Sequence, residues 1–349
     1  MSVIELPHKV LDYACPINGL EDLYEWKTKT RLPGFVLMDL GTLGFTYITQ
    51  KNAPAPRMVF WGSGMGRPLF NSLSDVVGFE WTCLEDKAFR TAWQAARESL
   101  KNGTPVILGL LDMYHLPYYP KFYHRVHIPQ HYVLLVGYDE QKDAALVQDT
   151  GLPGVQSIPL SDLRPAWDVR NPGQGKPNTL FTLKFNDQPA TLESIWRRGL
   201  KKRAVSFLNP PVGFLGIRGM RKLQKEINGW SEELDASAWK ESMLSLVTFT
   251  CSVVPNLPQA LMPFQLNYTD PHQACRDRFA IELAEAVKEY REPVWAKAAD
   301  LFRKSGEKIG SLTDLAVAAL SDKKNLFEEA SGLMAQIADL EEAAFKMLA

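Results

Sequence analysis

Cys15, His131 and Asp149 have the side-chain types and the chain order of a nucleophile, a base and an acid that orients the base. His131 heads an apolar, β-branched run, His131-Tyr-Val-Leu-Leu-Val-Gly-Tyr-Asp139, and a second short run, Ala145-Leu-Val-Gln-Asp149, ends on the carboxylate. Two strands joined by the polar turn Asp139–Asp143 fit both runs, and antiparallel pairing would bring His131 and Asp149 together. Upstream, a helix is expected over Ile17–Trp26, with Ile17, Leu20, Leu23 and Tyr24 along one side. Pro16 suits its first position, which makes Cys15 the N-cap. Cysteine caps poorly, so the sharper reading of its place is chemical: free N–H groups and the positive end of the helix dipole favour an anionic sulfur. Each residue also has a plainer reading. A histidine heading a strand is often nothing more, and a free cysteine is usually buried and inert.

The segment from Asp112 to His131 holds Tyr114, Tyr118, Tyr119 and Tyr123 with His115, His124, His127 and His131. Clustered histidines raise the question of a metal. There is no HExxH and no helical i, i+4 pair, and prolines interrupt the run, so no metal site is expected. A long aromatic loop beside a catalytic histidine better suits a substrate-binding wall, with Asp112, Tyr114 and Tyr118 in it. An oxyanion would need N–H donors: the backbone of Cys15 at least, with Asn18 or Gln130 as side-chain candidates. No motif asks for a cofactor. Phe60-Trp-Gly-Ser-Gly-Met-Gly66 matches a dinucleotide loop only in its glycine count, and reads as a turn of close backbone packing along a substrate channel.

At 349 residues the chain has room for two domains. A net charge of −1 and a pI near 6.6 give no global pull toward nucleic acid. No apolar run approaches the roughly 20 residues of a membrane helix, so no membrane span is expected. The opening Met-Ser-Val-Ile-Glu-Leu-Pro-His8 lacks the basic start and apolar stretch of a signal peptide. Cys15, Cys83, Cys251 and Cys275 stand far apart with no CxxC, which argues against zinc or a disulfide framework and for a reducing cytoplasm.

Phe89–Leu100 reads as an amphipathic helix stopped by Asn102-Gly103, after which Pro105–Asp112 is a buried strand. The turn-rich stretch 171–177 marks a boundary, and the strand Thr179–Phe185 closes the first domain. From Thr191 the pattern is helical. Leu192, Ile195, Trp196, Leu200, Ala204 and Phe207 share a face; Arg197, Arg198, Lys201, Lys202 and Arg203 crowd the rest, either a solvated surface or a dock for an acidic carrier protein. Thr269–Gln273 is a helix start, with Asp270 as cap and Pro271 in first position. Phe279, Leu283, Val287, Tyr290 and Val294 follow on one face, which Pro293 bends or breaks. A final near-heptad stripe, Leu326, Ala330, Leu333, Ile337, Leu340 and Ala344, is either intramolecular core or the seam of a homodimer.

Taken together, Cys15 before a helix, Leu40-Gly-Thr-Leu-Gly-Phe45, Gly103-Thr-Pro-Val106, Asp112-Met-Tyr-His-Leu-Pro-Tyr118, the His131–Asp139 run and Val147-Gln-Asp149 resemble the family of butirosin-biosynthesis acyltransferases. The resemblance covers roughly the first 185 residues. It implies an α+β fold: a papain-like domain with an antiparallel sheet over residues 1–187, then an all-α domain over 188–349. It implies Cys15 as nucleophile, His131 as base and Asp149 as orienter, and a transfer of an acyl group from a carrier-protein or CoA thioester to a small amine. The same residues would serve a peptidase, an amidase or a thioester hydrolase, and a non-catalytic binding protein on this fold is the rival of another class. Two departures stand out. Ala14 occupies a position where family members often have histidine, the nearest upstream histidine being His8. The glutamine that papain-like proteases place shortly before the nucleophile is absent.

Overall fold

The computed structural model describes residues 2–10, 15, 19–33, 36–53, 55–64, 66–171, 175–247, 275–322 and 327–349. Pro16, Ile17, Asn18, Cys251, the helix start Thr269–Gln273 and Leu326, all named above, lie outside the described residues.

In chain order the elements are β1 (Ser2–Val3), α1 (Leu20–Thr28), α2 (Val36–Thr42), β2 (Thr46–Thr49), β3 (Arg57–Phe60), α3 (Arg67–Leu73), β4 (Phe79–Leu84), α4 (Phe89–Lys101) and β5 (Val106–Leu111). There follow β6 (His131–Asp139), β7 (Ala144–Asp149), β8 (Leu152–Pro159), α5 (Leu160–Trp167), β9 (Leu180–Phe185), α6 (Leu192–Leu208), α7 (Gly216–Glu226), α8 (Trp230–Glu233), α9 (Ala236–Val247), α10 (Cys275–Tyr290), α11 (Pro293–Asp322) and α12 (Phe327–Leu348). The class is α+β. Among the described residues no helix is long and apolar enough to cross a membrane. The chain forms two compact units, Met1–Met38 with Met65–Leu192, and Asp39–Gly64 with Glu193–Ala349.

The first unit is built on a seven-stranded sheet in the order β4-β9-β5-β6-β7-β8, with β1 paired to β6. Every pairing is antiparallel. Strand periodicity of two sends Val133 and Leu135 to one face, where Val106, Leu108, Ala145, Val147 and Ile158 join Trp93 of α4 and Trp167 of α5 in one buried cluster. Trp167 has no exposed surface and still satisfies its indole, donating to the Thr179 carbonyl at 2.8 Å. The hairpin, the buried β5 and the helix before it lie where the sequence puts them. Gly103, at φ +72°, ends α4 with its N–H on the Leu100 carbonyl at 2.9 Å.

Helix α1 departs from expectation. It starts at Leu20, with Gly19 rather than Cys15 as its N-cap. Gly19 sits at φ +87°, and a Cβ there would come within 2.7 Å of the Leu134 side chain. Both the backbone region and the close approach to β6 require glycine, and that fixes where the helix begins.

The second unit is helical, with the hairpin β2–β3 among its described residues. Residues 39–64, which sequence patterning groups with residues 1–187, pack here because their aromatic side chains find partners among later helices. Tyr47 stacks on Trp230 at 6.2 Å and donates to Glu226 Oε2 at 2.7 Å. The free edge of β3 is covered by helix α9: Val59 N–H donates to Ser245 Oγ at 2.9 Å, and Trp61 Nε1 to the Leu246 carbonyl at 3.1 Å.

Pro293 breaks the apolar face, opening α11 as a new helix. Val294 turns out to solvent while Trp295 turns in. Of the stripe on α12, Ala330, Ile337 and Ala344 are buried in the unit and Leu333 and Leu340 are half-buried; Phe345 beside it stacks on Phe207 at 4.0 Å. The basic set on α6 is partly spent inside the unit. Arg203 is buried, donating to Ser63 Oγ at 2.6 Å, and Arg197 pairs with Glu193 and Glu292.

Candidate active site

His131 opens β6, where it pairs with Leu111 of β5. On the other side, the register Leu134↔Gln148 carries Asp149 to the level of Val133, on the face that period two also gives to His131. The result is a contact of 2.6 Å between His131 Nε2 and Asp149 Oδ2. Both side chains are buried, Asp149 completely.

Cys15 lies near enough to act on the charge of the His131 ring, favouring its protonated form. Asp149 occupies Nε2, which leaves Nδ1 as the second nitrogen of the ring. Cys15 itself is half-buried. Residues far apart in sequence thus come together in one unit: His131 is in contact with Asp149, and Cys15 acts on the charge of the same ring. Burial works against a charged His131 ring, but the Asp149 carboxylate and Cys15 outweigh it and hold the ring well above the usual histidine range. Burial pushes Asp149 the other way, toward the neutral acid. The His131 charge and hydrogen bonds from His131, Tyr118 and Gly151 reverse that and keep its carboxyl below the usual range. Both shifts favour an imidazolium facing a carboxylate.

A fully buried carboxylate needs donors on both oxygens. On Oδ2, His131 is joined by the Tyr118 hydroxyl at 2.9 Å. On Oδ1, the Tyr119 hydroxyl donates at 3.0 Å and Gly151 N–H at 3.3 Å. Hydrogen bonds to a charged group contribute about 1.5–3 kcal/mol each, so the set matches the several kcal/mol by which burial disfavours an ion. Burial and the facing carboxylate keep the Tyr118 phenol protonated, as a donor must be.

The remaining sequence candidates are placed as follows. Asp112 caps the turn after β5: Oδ1 accepts from Tyr114 N–H at 3.1 Å and Ile128 N–H at 2.9 Å, and Oδ2 meets His127 Nδ1 at 2.6 Å. Tyr114 stacks on that His127 ring with centroids 4.1 Å apart. Asp112 and Tyr114 thus hold the two ends of the aromatic loop together. Gln130 is half-buried, directly before His131. Tyr118 meets the relay through Asp149.

Three contributors escape sequence reasoning. Tyr119 and Gly151 complete the Asp149 environment. His8 ties α1 to the start of β8, with Nδ1 on Asp22 Oδ2 at 2.8 Å and Nε2 on the Leu152 carbonyl at 2.9 Å. The signals were thin: a second tyrosine beside Tyr118, a glycine two residues after the acid, and an isolated histidine near the N-terminus.

Residues 14–150 match the family model described as butirosin biosynthesis protein H, N-terminal, and residues 161–251 match a domain of unknown function, DUF4872. No curated protein matches the chain. Cys15, His131 and Asp149 all fall within the first match.

Proposed function

We propose that the chain, whose residues 14–150 match the butirosin biosynthesis protein H N-terminal family model, is a cysteine-dependent acyltransferase of biosynthesis, forming an amide through an acyl-Cys15 intermediate. The observation that supports this reading is the buried His131–Asp149 contact at 2.6 Å, with Cys15 acting on the charge of the same ring.

With the thiol proton already on the His131 ring, the Cys15 sulfur attacks the carbonyl of an acyl thioester, from a carrier protein or CoA. Asp149 stabilises the imidazolium and fixes which nitrogen faces the sulfur. The tetrahedral intermediate collapses, the donor's thiolate leaves with the proton from His131, and one thioester has been exchanged for another of similar energy. A small amine then attacks the acyl-cysteine carbonyl, His131 receives its proton, and the amide departs as Cys15 regains the proton. No redox or metal step enters this sequence. A ring that binds its proton tightly suits the first half of it, because it holds the thiol proton until the leaving sulfur needs it. The cytoplasm, where thiols stay reduced, is the compartment that suits such a nucleophile.

Incubation with an acyl N-acetylcysteamine thioester and a panel of primary amines tests the reading. Amide and free N-acetylcysteamine should appear in equal amounts, and both should vanish in Cys15→Ala. Thiol release without amide, with every amine tried, would make the protein a thioester hydrolase. Turnover of a peptide amide in place of the thioester would make it a peptidase, and no turnover of either would leave a binding protein.

A further inference from the structure

We propose that Tyr118 and Tyr119, with Gly151 making room for them, are positioning residues that set the rotamer and the charge of Asp149. The inference rests on the reading of His131 and Cys15 as a working pair, and it gives the aromatic loop a role in the relay beside any contact with substrate.

The geometry is specific. Consecutive residues of a strand point to opposite faces, so two adjacent side chains cannot both reach one carboxylate from a strand. Tyr118 and Tyr119 lie in a turn between Pro117 and Pro120, where Tyr119 N–H closes on the Leu116 carbonyl at 3.1 Å. From that turn each hydroxyl takes a different oxygen of Asp149, at 2.9 Å on Oδ2 and 3.0 Å on Oδ1. The Tyr119 ring also stands edge-on to the His131 ring, with centroids 5.7 Å apart at 88°. The same tyrosine therefore touches both members of the pair.

Gly151 is the third part. A Cβ there would lie 2.3 Å from the Tyr119 hydroxyl but 3.3 Å from the ring carbon that bears it. The hydroxyl can reach Asp149 only because position 151 has no side chain. Gly151 N–H meanwhile donates to the same Oδ1. Packing alone would not require a polar atom in that slot; the phenol oxygen is what fills it.

These hydroxyls stabilise the ionised form of Asp149, so removing one makes the carboxyl easier to protonate. The acid limb of any His131-dependent reaction should then move to higher pH. Loss of simple packing would lower the melting temperature and leave the limb where it was.

The experiment follows the rate of Cys15 alkylation by iodoacetamide against pH, by peptide mapping, in the full chain. Tyr118→Phe and Tyr119→Phe should each move the acid limb to higher pH, and slow alkylation below neutral pH by about tenfold, the weight of one hydrogen bond to a charged group. Gly151→Ala should reproduce Tyr119→Phe, and should add little to it in the double variant, because the methyl only displaces a hydroxyl already gone. A limb unmoved in folded Tyr118→Phe and Tyr119→Phe, or a fully additive Gly151→Ala, would overturn the proposal. His131→Ala in the same assay separates the two readings. If it changes the profile while the tyrosine variants do not, only the cage falls. If it changes nothing, the Cys15–His131 pairing itself has failed. Since alkylation needs no acyl donor, neither outcome depends on transfer chemistry.

Discussion

Asp149 in the first unit and Glu341 in the second are both completely buried carboxylates paired with a cation, yet the two sites have opposite characters. Glu341 is gripped by Arg276 through two bonds, Nε to Oε1 at 2.6 Å and Nη2 to Oε2 at 2.8 Å, with Ser305 Oγ donating at 2.9 Å. Arg276 also donates to the Gly44 carbonyl at 2.7 Å. Arginine keeps its proton at every pH a protein survives, and its planar fork matches a carboxylate. That site binds α10 to α12 and to the segment before β2, and it has no proton to move. Asp149 faces a histidine, whose ring can exchange its proton, and Cys15 acts on the charge of that ring. Equal burial thus gives a rivet in one unit and a relay in the other. The partner's proton decides which, not the depth of the acid.

The relay should break first in activity. His131→Ala is expected to lower acyl transfer by about three orders of magnitude or more, and Asp149→Asn by somewhat less, because it orients and does not itself transfer. Steady-state rates on a soluble thioester, with circular dichroism confirming the fold, check this; full activity in folded His131→Ala would remove it as the base.

The rivet should break in stability instead. Glu341→Ala leaves Arg276 buried without its partner, and should destabilise the protein by about 3–5 kcal/mol, the range for stripping one member of a buried pair. Denaturant unfolding reads the loss, while alkylation of Cys15 in the remaining folded protein should keep its wild-type rate.

Protons sharpen the contrast further. The His131 ring is raised above its ordinary value of 6.5, so its contribution to stability is complete below 6.5 and is lost as pH climbs through the raised native value. Asp149 runs the other way. Its contribution is complete above its ordinary value of 3.8 and fades as pH falls through the lowered native one. Stability measured from pH 6.5 upward should therefore fall less steeply in His131→Asn than in the wild type. Arg276→Met should leave that slope as it was. Identical slopes in wild type and His131→Asn would show that the histidine titrates as in the unfolded chain.

The smallest effect is expected on α6. With Arg203 buried and Arg197 already paired, reversing Arg198 and Lys202 to Glu touches an exposed or half-exposed surface, where such charges are worth about 0–1 kcal/mol. Turnover of N-acetylcysteamine thioesters should not change. A rise in KM confined to carrier-protein donors would restore the docking reading of this helix.

What was legible in the sequence follows from range. The β6–β7 hairpin could be read because apolar alternation and a polar five-residue turn act between neighbours, and pairing then brings His131 to Asp149 without further information. The α4 stop at Gly103 and the break at Pro293 are equally local. The start of α1 was misread because Gly19 answers to Leu134, more than a hundred residues away. Residues 39–64 were grouped with the first domain because Tyr47 and Trp61 look like ordinary strand and turn residues until Trp230 and α9 are packed against them. Tyr118 read as substrate wall, and Tyr119 and Gly151 carried no role, since their meaning lies in three distances around one carboxylate. Arg203 looked like one more surface charge; only the fold places it against Ser63.

The central claim is that Cys15 is the atom that takes the acyl group, and trapping the acyl-enzyme tests it most directly. The full-length protein is mixed with an acyl N-acetylcysteamine thioester without amine, acid-quenched within seconds, and examined by intact mass and peptide mapping. One acyl group per chain, located on Cys15, discharged by added amine and absent from Cys15→Ala, is the predicted result. An acyl group on Cys83 or any other residue, or amide formation that survives Cys15→Ala, would contradict it.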